Sequence, residues 1–345
     1  MRAVQAGAAM GEFDLIARYF RQPAQALHTP AVLAGIGDDC ALLQPAEGAQ
    51  LLVSSDTLVA GRHFFADTDA RRLGHKALAV NLSDLAACAA TPLGFTLALT
   101  LPAVDEAWLQ AFAQGLLALA QQCDCPLVGG DTTRGPLSIT ITAFGQVPPG
   151  QALLRSGARV GHDVYVSGAI GEARAALQLL QGHWQCGNAA LRAHLLQRLE
   201  APSPRLELAR HLRGVASSAM DLSDGLHGDV QHLLAASGVG ACIRGASLLE
   251  TAPRLWAAPE LADWSEAQRI AFALAGGDDY ELLFTAHPGF RSYLSELGQE
   301  LGMGVQRIGE ITPRPEAGPA LQVLDGQGQP LALASASFDH FAGNP

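Results

Sequence analysis

The sequence is nearly devoid of lysine: Lys76 is the single one among 22 lysine and arginine residues. No G-x-x-x-x-G-K-[ST] motif surrounds it, which excludes a Walker-type phosphate-binding loop. Any binding of phosphate groups must therefore use arginine, backbone N–H groups and metal ions. The net charge of -11 also excludes the basic face that nonspecific nucleic-acid binding needs, so we expect no nucleic-acid partner.

Uninterrupted apolar runs and paired cysteine motifs are also lacking. Residues 85–104 carry no charge over about the length of a membrane span, but a T-P-L-G sequence at 91–94 interrupts them. We interpret this run as a helix end, a turn and a buried strand, and we expect no membrane association. The six cysteines form no C-x-x-C motif, and we expect free thiols in a reducing cytoplasm.

The length and composition predict a globular chain of two domains. The 345 residues are 49% hydrophobic and 16% charged, which excludes a disordered chain and is long for one core. A P-P-G sequence at 148–150 is the best boundary, so we predict domains at 1–150 and 151–345. Strand and helix patterns mix in both halves, which indicates the α/β (α+β) class.

Apolar periodicity places the main elements. Strands are predicted at 51–55, 127–128, 138–144, Asp163–Ser167 and 282–284. Helices are predicted at 13–20, 78–85, 108–119, Glu172–Leu180 and 226–234, the last closed by Gly238. The first predicted strand ends at Asp56, and the second ends in the G-G-D sequence at 129–131.

Aspartates recur beside glycine and serine at the ends of apolar runs. The motifs are G-I-G-D-D at 35–39, S-S-D-T at 54–57, N-L-S-D at 81–84, G-G-D-T-T at 129–133, D-L-S-D-G at 221–225 and G-G-D-D-Y-E at 276–281. Mg²⁺ takes oxygen ligands and commonly shares substrate phosphates with one or two carboxylates. Glycines beside these carboxylates would let the backbone approach a ligand.

Each motif alone has a structural alternative. Aspartate and glycine are ordinary turn residues, Asp84 could lie on a solvated helix face, and Asp221, Ser223 or Asp224 could be a helix N-cap. Six such motifs together favour a metal-dependent phosphate site over turn chemistry throughout.

Together these motifs resemble those of the bacterial thiamine-monophosphate kinase family, in the family's order and nearly end to end. The resemblance rests on G-E-F at 11–13, G-I-G-D-D at 35–39, D-T-L-V-A-G at 56–61, K-A-L-A-V-N-L-S-D at 76–84, G-G-D-T-T-R-G at 129–135, R-S-G at 155–157, D-L-S-D-G at 221–225, G-D-D-Y-E at 277–281 and F-D-H-F at 338–341. It implies a two-domain fold like aminoimidazole-ribonucleotide synthetase, with mixed sheets packed with helices. It also implies a homodimer formed by the N-terminal domains, with ATP near that interface and the C-terminal domain completing the site.

The same resemblance implies a role for each matching residue. Several Mg²⁺ ions would be held by Asp39, Ser54, Ser55, Asp56, Asp84, Asp131, Asp221 and Asp224. ATP would contact Gly130, Asp131, Arg155 and Ser223. Thiamine monophosphate would contact His63, Asp278 and Phe338. The catalytic residues would be Asp131, Arg155 and Asp221.

The chemistry of the implied acceptor needs no catalytic base. A phosphate monoester has a second pKa of about 6 and is mostly a dianion near pH 7. The obstacle is repulsion between two anions, so we expect catalysis by metal neutralisation and in-line positioning. Arg155 would offset charge on the transferring group, or it could form a surface ion pair of small value.

The thiazolium cation of the implied substrate would need negative or aromatic partners. Asp278, Asp279 and Glu281 could supply charge, and Phe338 could stack on the ring. Phe338 could instead anchor the C-terminal tail on the core, and His63 could be a packed or capping histidine. This sequence has Asp278 where the family more commonly has Glu, Phe338 where Tyr is common, and Ser55 where Thr is frequent.

Other readings remain open at the level of sequence. One is another kinase or synthetase of the same superfamily, making selenophosphate or aminoimidazole ribonucleotide. The first of these would want a reactive cysteine and a lysine in an N-terminal loop, yet the earliest cysteine is Cys40 and no lysine precedes Lys76. A nucleotide-binding module without turnover is the alternative from a different class.

Overall fold

The computed structural model describes residues 11–27 and 29–332. The chain divides into two compact units, of which the first comprises Met1–Asn81 and Pro92–Gln146 and the second Leu82–Thr91 and Val147–Pro345. Unit one begins and unit two ends with residues that lie outside these described ranges. The division differs from a single cut near residue 150, and the functional domains at 1–150 and 151–345 stay a prediction.

Unit one combines two sheets with helices. Its strands are β1 (Val32–Ala34), β2 (Leu42–Leu43), β3 (Gln50–Val59), β4 (Thr91–Leu101), β5 (Leu127–Arg134) and β6 (Ser138–Val147). Its helices are α1 (Glu12–Leu15), a π-helix (Ile16–Arg21), α2 (Gln22–Ala24), α3 (Ala70–Ala87) and α4 (Glu106–Gln122). The division between the units falls inside α3 and at the first residue of β4.

The main sheet of unit one has the strand order β3-β6-β4-β5, and β1 pairs with β2. Strands β4 and β5 are parallel, with Phe95 opposite Leu127 and Ala98 opposite Asp131. Along β6, Ile139 and its alternate neighbours are buried while the residues between them are half-buried. One face of the sheet therefore lies in the core, as period-two alternation requires.

Two glycines allow helices α3 and α4 to cross closely. A Cβ atom on Gly74 would lie 2.0 Å from the carbonyl oxygen of Phe112, and one on Gly115 would lie 1.8 Å from that of Arg71. Leu109, Phe112 and Leu116 are fully buried on the same helix. The backbones thus meet at a distance that no other residue type permits.

We expect Gly115→Ala to lower the free energy of unfolding by about 1–3 kcal/mol, because the added methyl forces two backbones apart. In an ordinary helix, alanine is about 1 kcal/mol more stabilising than glycine. The sign of the change in the free energy of unfolding therefore tests whether the two helices cross this closely. Urea denaturation measures it, with Gln114→Ala on the exposed face of α4 as the matched control. A stabilised Gly115→Ala would contradict the close crossing.

Unit two is built on a larger sheet with helices. Its strands are β7 (Asp163–Ser167), β8 (Ala216–Asp221), β9 (Gly240–Arg244), β10 (Leu282–Ala286), β11 (Val305–Thr312) and β12 (Leu321–Leu324). Its helices are α5 (Glu172–Leu180), α6 (Ala189–Glu200), α7 (Leu206–His211), α8 (Leu226–Ser237), α9 (Gly245–Leu249), α10 (Pro253–Trp256), α11 (Glu266–Leu274) and α12 (Arg291–Glu300). Two 3-10 turns lie at Pro259–Leu261 and Pro288–Phe290.

The six strands of unit two follow the order β12-β9-β11-β7-β10-β8. Strands β12 and β9 are parallel, whereas β10 runs antiparallel to both β7 and β8. All five residues of β7 and of β10 are buried, and Leu282 of β10 pairs with Asp221 of β8. The predicted α/β (α+β) class with mixed sheets packed with helices is confirmed.

Most predicted elements are confirmed, but four strands are longer than predicted: β3, β5, β6 and β10. Strand β3 continues through Asp56 and β5 continues through Asp131, so neither carboxylate lies at a strand end. In β3 the polar residues continue the ladder because Ser55 and Thr57 meet threonine hydroxyls of β6 at 3.0 and 2.9 Å. In β5 the pairing with β4 runs to Arg134.

The uncharged run at 85–104 folds as predicted, into the end of α3, a turn and strand β4. Within 11–27 and 29–332, no helix combines the length and apolarity that crossing a membrane requires. The six cysteines are free thiols, as expected.

Candidate functional site

Strand β3 places its three predicted ligands on two faces. Ser54 and Asp56 are half-buried, whereas Ser55 between them is exposed and its hydroxyl donates to the carbonyl oxygen of Ile141 at 3.3 Å. Successive side chains of a strand point to opposite faces. The Ser55 hydroxyl is thus separated from the Asp56 carboxylate by the width of the strand. The Asp56 N–H is fixed by the side-chain oxygen of Asn81 at 3.1 Å.

Strand β5 requires glycine immediately before its exposed aspartate. Gly130 has a φ of +147°, and a Cβ atom there would lie 1.9 Å from the carbonyl oxygen of Leu97. No other residue would fit that approach. Asp131 follows directly and is exposed to solvent, where its carboxylate is available to a ligand.

Two further residues of unit one lie in loops. The N–H of Asp39 donates to the carboxylate of Asp38 at 2.9 Å, and Asp39 is exposed. The Nδ1 atom of His63 accepts the N–H of Val59 at 3.0 Å. A neutral His63 ring therefore carries its proton on Nε2, which agrees with the capping alternative.

In unit two, helix α3 ends beside strand β8. The hydroxyl of buried Ser83 donates to Oδ2 of Asp221 at 2.9 Å. The pKa of the Cys88 thiol is raised, first by burial and then by the charges of Asp84 and Asp221, while Arg155 lowers it. Asp84 and Asp221 are predicted metal ligands, and Arg155 is the predicted ATP-binding arginine. All three therefore lie near the Cys88 thiol.

The loop that carries Arg155 is held from two sides. The hydroxyl of Ser237, the last residue of α8, donates to the carbonyl of Arg155 at 3.0 Å and accepts the N–H of Ala158 at 3.1 Å. Gly157 has a φ of +116°, and a Cβ atom there would lie 2.3 Å from the carbonyl oxygen of Ser217. The backbone is fixed while the Arg155 side chain stays exposed.

The D-L-S-D-G loop at 221–225 runs beside the D-D-Y-E segment at 278–281. The N–H of Asp278 donates to the carbonyl of Ser223 at 2.8 Å. The N–H of Tyr280 donates to the carbonyl of Leu222, and the N–H of Leu222 donates to the carbonyl of Glu281, each also at 2.8 Å. Asp278 and Tyr280 have φ values of +65° and +47°. Such left-handed geometry is costly for these residues and commonly marks a functional segment.

The other two acids of the D-D-Y-E segment face the core, which corrects one prediction. Asp279 and Glu281 are 1% and 0% exposed, so they are not available to complement a thiazolium cation. Glu281 accepts from Arg198 at 2.6 Å, from Ser167 at 2.5 Å and from both Nε and a terminal nitrogen of Arg205. Its pKa is lowered despite burial, because two arginines surround it.

Asp279 caps the amino end of helix α5. Its carboxylate accepts the N–H groups of Gly171 at 2.8 Å and Ala173 at 3.3 Å. Burial is the largest influence on this group and raises its pKa to about 7. The pair of acids thus anchors the segment that presents Asp278.

The raised pKa of Asp279 predicts a pH-dependent stability. Because the folded chain keeps this proton to a higher pH than the unfolded chain, the free energy of unfolding should fall as pH rises from about 4 to about 7. Asp279→Asn keeps an acceptor but cannot titrate, so it should lack this component. Urea denaturation of both proteins at several pH values gives the difference, and parallel curves would contradict the assignment.

Asp229 is another buried acid, and the sequence motifs did not point to it. It lies in the first turn of α8 and accepts the N–H groups of Asp224 at 3.2 Å and Gly225 at 3.1 Å. Burial, followed by the charge of Asp224, raises its pKa to about 7. The available sequence signal was an acid in the first turn of a predicted helix, four residues after the last glycine of the motif.

The donor set fits Mg²⁺ in type, since it consists of carboxylate and hydroxyl oxygens. Across the described part of the chain, no group of three or more His, Cys, Asp or Glu side chains is arranged to hold a metal ion by itself. Mg²⁺ sites with nucleotides need only one or two carboxylates, because water and phosphate complete the shell. Phe338, the remaining predicted substrate contact, lies outside the described residues.

Comparison with known proteins places this geometry in a family. Residues 37–147 match the family model of AIR synthase related protein, N-terminal domain. The chain is 46% identical to thiamine-monophosphate kinase of Escherichia coli K12 over 97% of this chain and 99% of that protein. It is 45% identical to the same enzyme of Salmonella typhimurium, with the same coverage.

Solved structures agree. Thiamine-monophosphate kinase from Stenotrophomonas maltophilia K279a superposes with a TM-score of 0.79 at 44% identity, covering 91% of this chain and 96% of that one. AaThiL complexed with AMPPCP and TMP gives 0.69 at 26% identity, covering 99% of both chains. Identity at this level over nearly the whole length is decisive, and the chain belongs to the thiamine-monophosphate kinase family.

Proposed function

We propose that this chain transfers the γ-phosphoryl group of ATP to thiamine monophosphate, forming thiamine diphosphate and ADP. The observation that carries the proposal is the backbone pairing of the D-L-S-D-G loop with the D-D-Y-E segment in a chain of this family. A relative in that family binds AMPPCP and TMP together. AMPPCP is an ATP analogue that resists phosphoryl transfer. TMP stands for thiamine monophosphate, the acceptor after which the family is named.

The reaction needs positioning and charge neutralisation. An oxygen of the acceptor phosphate forms a bond to the γ-phosphorus as the bond to the β–γ bridging oxygen breaks, and ADP leaves with the electron pair. The acceptor is mostly a dianion near pH 7, so no side chain has to remove a proton. Arg155, on its fixed backbone, would contact the nucleotide and offset negative charge as the group moves.

Mg²⁺ is part of the proposal. When bound, it would neutralise phosphate charge that the acidic chain otherwise repels. We propose oxygen ligands for several ions at Asp39, Ser54, Ser55, Asp56, Asp84, Asp131, Asp221 and Asp224. Ser55 would contribute through its backbone carbonyl more readily than through its hydroxyl, which β6 already engages. Gly130 and Ser223 would let the backbone approach ATP.

The acceptor would be recognised by residues of different chemistry. The Nε2–H of His63 would donate to the acceptor phosphate, and the carboxylate of Asp278 would complement the thiazolium cation. Asp278 is half-exposed, in contrast with its buried neighbours, which singles it out for this role.

An assay of ADP release tests the function. Thiamine monophosphate with ATP and Mg²⁺ should give ADP, whereas free thiamine and aminoimidazole precursors should not. ADP release with the aminoimidazole precursor alone would favour the synthetase alternative. Absence of release with every acceptor, while ATP still binds, would favour the nucleotide-binding module. The cytoplasmic location stays a prediction.

A homodimer through unit one is a further part of the proposal. Three apolar residues of β3 lie on the face of the sheet opposite the buried one and are exposed: Leu51 by 53%, Val53 by 57% and Val59 by 38%. Strands with an apolar, uncovered face commonly mark an interface. A second copy would cover this face through the same surface, as two-fold symmetry requires.

We expect Val53→Asp to shift the protein from dimer to monomer, because it places a charge in the centre of the proposed interface. Sedimentation velocity measures the shift. Val104→Asp is the matched control, since Val104 is 51% exposed but lies in a loop of the same unit. A Val53→Asp protein that sediments as the wild type does would contradict this interface.

A further inference from the structure

On one side, the backbone of the D-L-S-D-G loop packs directly against the backbone of residues 275–277. Gly225 has a φ of +111°, and a Cβ atom there would lie 3.1 Å from the carbonyl oxygen of Gly276. A Cβ atom on Gly277 would lie 2.5 Å from the carbonyl oxygen of Ser223. The loop therefore cannot move toward the 275–277 segment, and its position depends on what restrains it from the other side.

The side chain of Asp229 supplies one such restraint, at the end of the loop that joins helix α8. The carboxylate oxygen Oδ2 of Asp229 accepts two consecutive N–H groups, from Asp224 at 3.2 Å and from Gly225 at 3.1 Å. Asp229 is 2% exposed, so water does not compete for these bonds. Helix α8 is twelve residues long and well packed through Leu226, Val230 and Leu233, which makes it a rigid support.

Asp229 is also set apart from the residues that would touch the ligand. Its side chain is buried, whereas Asp224 is half-buried and Arg155 is exposed. The charge of Arg155 lowers the pKa of Asp229, although burial raises it more, so Arg155 lies within electrostatic range of this carboxylate. Asp229 reaches back from the first turn of α8 to the N-cap Gly225, much as the acid of a capping box does, and also to Asp224 before it.

We propose that Asp229 is a positioning residue for phosphoryl transfer: its carboxylate fixes the backbone of Asp224 and Gly225 and thereby sets the affinity of the loop for a divalent cation. The inference rests on the proposed function and deepens it, because it names a residue that acts through the metal ligands. Partners that orient metal ligands typically change metal affinity by about 10- to 100-fold when they are removed.

Three variants separate positioning from folding. Asp229→Leu has a similar shape and no acceptor, and Asp229→Ala is a smaller alternative should the leucine variant fail to fold. Asp229→Asn keeps the accepting oxygen. Asp163→Asn is the control, because Asp163 is a buried acid of the same unit, 1% exposed and paired with Arg291 and Arg307. It should lower stability without touching the loop.

The readout is cation binding as well as turnover. Free Mn²⁺ is followed by electron paramagnetic resonance during titration of the full-length protein with AMPPCP present, and the Mg²⁺ dependence of ADP release is measured in parallel. We expect Asp229→Leu or Asp229→Ala to weaken Mn²⁺ binding and raise the half-saturating Mg²⁺ concentration by about 10- to 100-fold. Asp229→Asn should stay within about 3-fold of the wild type, as should Asp163→Asn.

The outcomes distinguish this inference from the proposed function. Wild-type protein that releases no ADP with any acceptor would reject the function. Active wild type together with unchanged Mn²⁺ binding in the leucine and alanine variants would overturn the positioning role. An asparagine variant as impaired as the leucine variant would also overturn it, since the charge and not the accepting geometry would then matter.

Discussion

Asp131→Asn is expected to lower kcat/KM about 100- to 1,000-fold at limiting Mg²⁺, a loss of about 2.7–4 kcal/mol of transition-state stabilisation. The substitution removes one negative charge and keeps the shape of the side chain. Asparagine is a weaker ligand for Mg²⁺, so the proposed transfer would lose charge neutralisation where two anions meet. Steady-state ADP release at several Mg²⁺ concentrations measures the effect.

Stability should change little in the same variant, because Asp131 is exposed on β5. Its melting temperature is therefore expected to match that of the wild type, which separates lost chemistry from lost fold. Asp67→Asn removes an exposed charge from a loop of the same unit and should retain full activity. Near-normal turnover of Asp131→Asn at limiting Mg²⁺ would contradict the proposed role.

Glu281→Gln is expected to lower the free energy of unfolding by about 3–5 kcal/mol, the usual cost of breaking a buried ion pair. The wild-type carboxylate is fully buried and faces Arg198 and Arg205 at 2.6 and 2.5 Å. Glutamine would remove the carboxylate that both guanidinium groups meet in the interior, leaving Arg198 with the more distant Glu172 at 3.6 Å. The amide hydrogens of glutamine would also point at donors. Urea denaturation measures the loss.

An exposed acid of the same unit provides the control. Glu310 is 58% exposed and lies 3.9 Å from Arg307, and such pairs contribute about 1 kcal/mol or less. Glu310→Gln should therefore be close to neutral. Equal effects of the two substitutions would show that Glu281 does not anchor the D-D-Y-E segment.

The sequence predicted where elements form better than where they end. Helix Glu172–Leu180 and strand Asp163–Ser167 are found at the predicted residues, because their apolar periodicity is strong and glycine lies beside them. The ends of β3 and β5 were misplaced at Asp56 and Asp131. Aspartate is an ordinary turn residue in isolation, and its ability to continue a strand depends on hydroxyl partners and strand pairing that the sequence does not display.

The sequence predicted which motifs form the site, but not which of their side chains face solvent and which face the core. The six aspartate motifs identified the family correctly, yet three neighbouring acids were treated as one group facing the substrate. Only Asp278 is half-exposed, while Asp279 caps α5 and Glu281 meets two arginines. These partners come from distant parts of the chain, as does the loop that Asp229 holds, so one-dimensional spacing could not reveal them.

At Asp278, the residue that best suits the left-handed backbone is not the residue that best suits the proposed recognition of the substrate. Glycine adopts this conformation without the penalty of about 1–2 kcal/mol that other residues incur, so a selection for heat resistance alone would favour Asp278→Gly. That change would delete the carboxylate proposed to face the thiazolium ring. Engineering for robustness should accordingly exempt this position, and asparagine, which tolerates the same backbone, offers the means of separating charge from conformation.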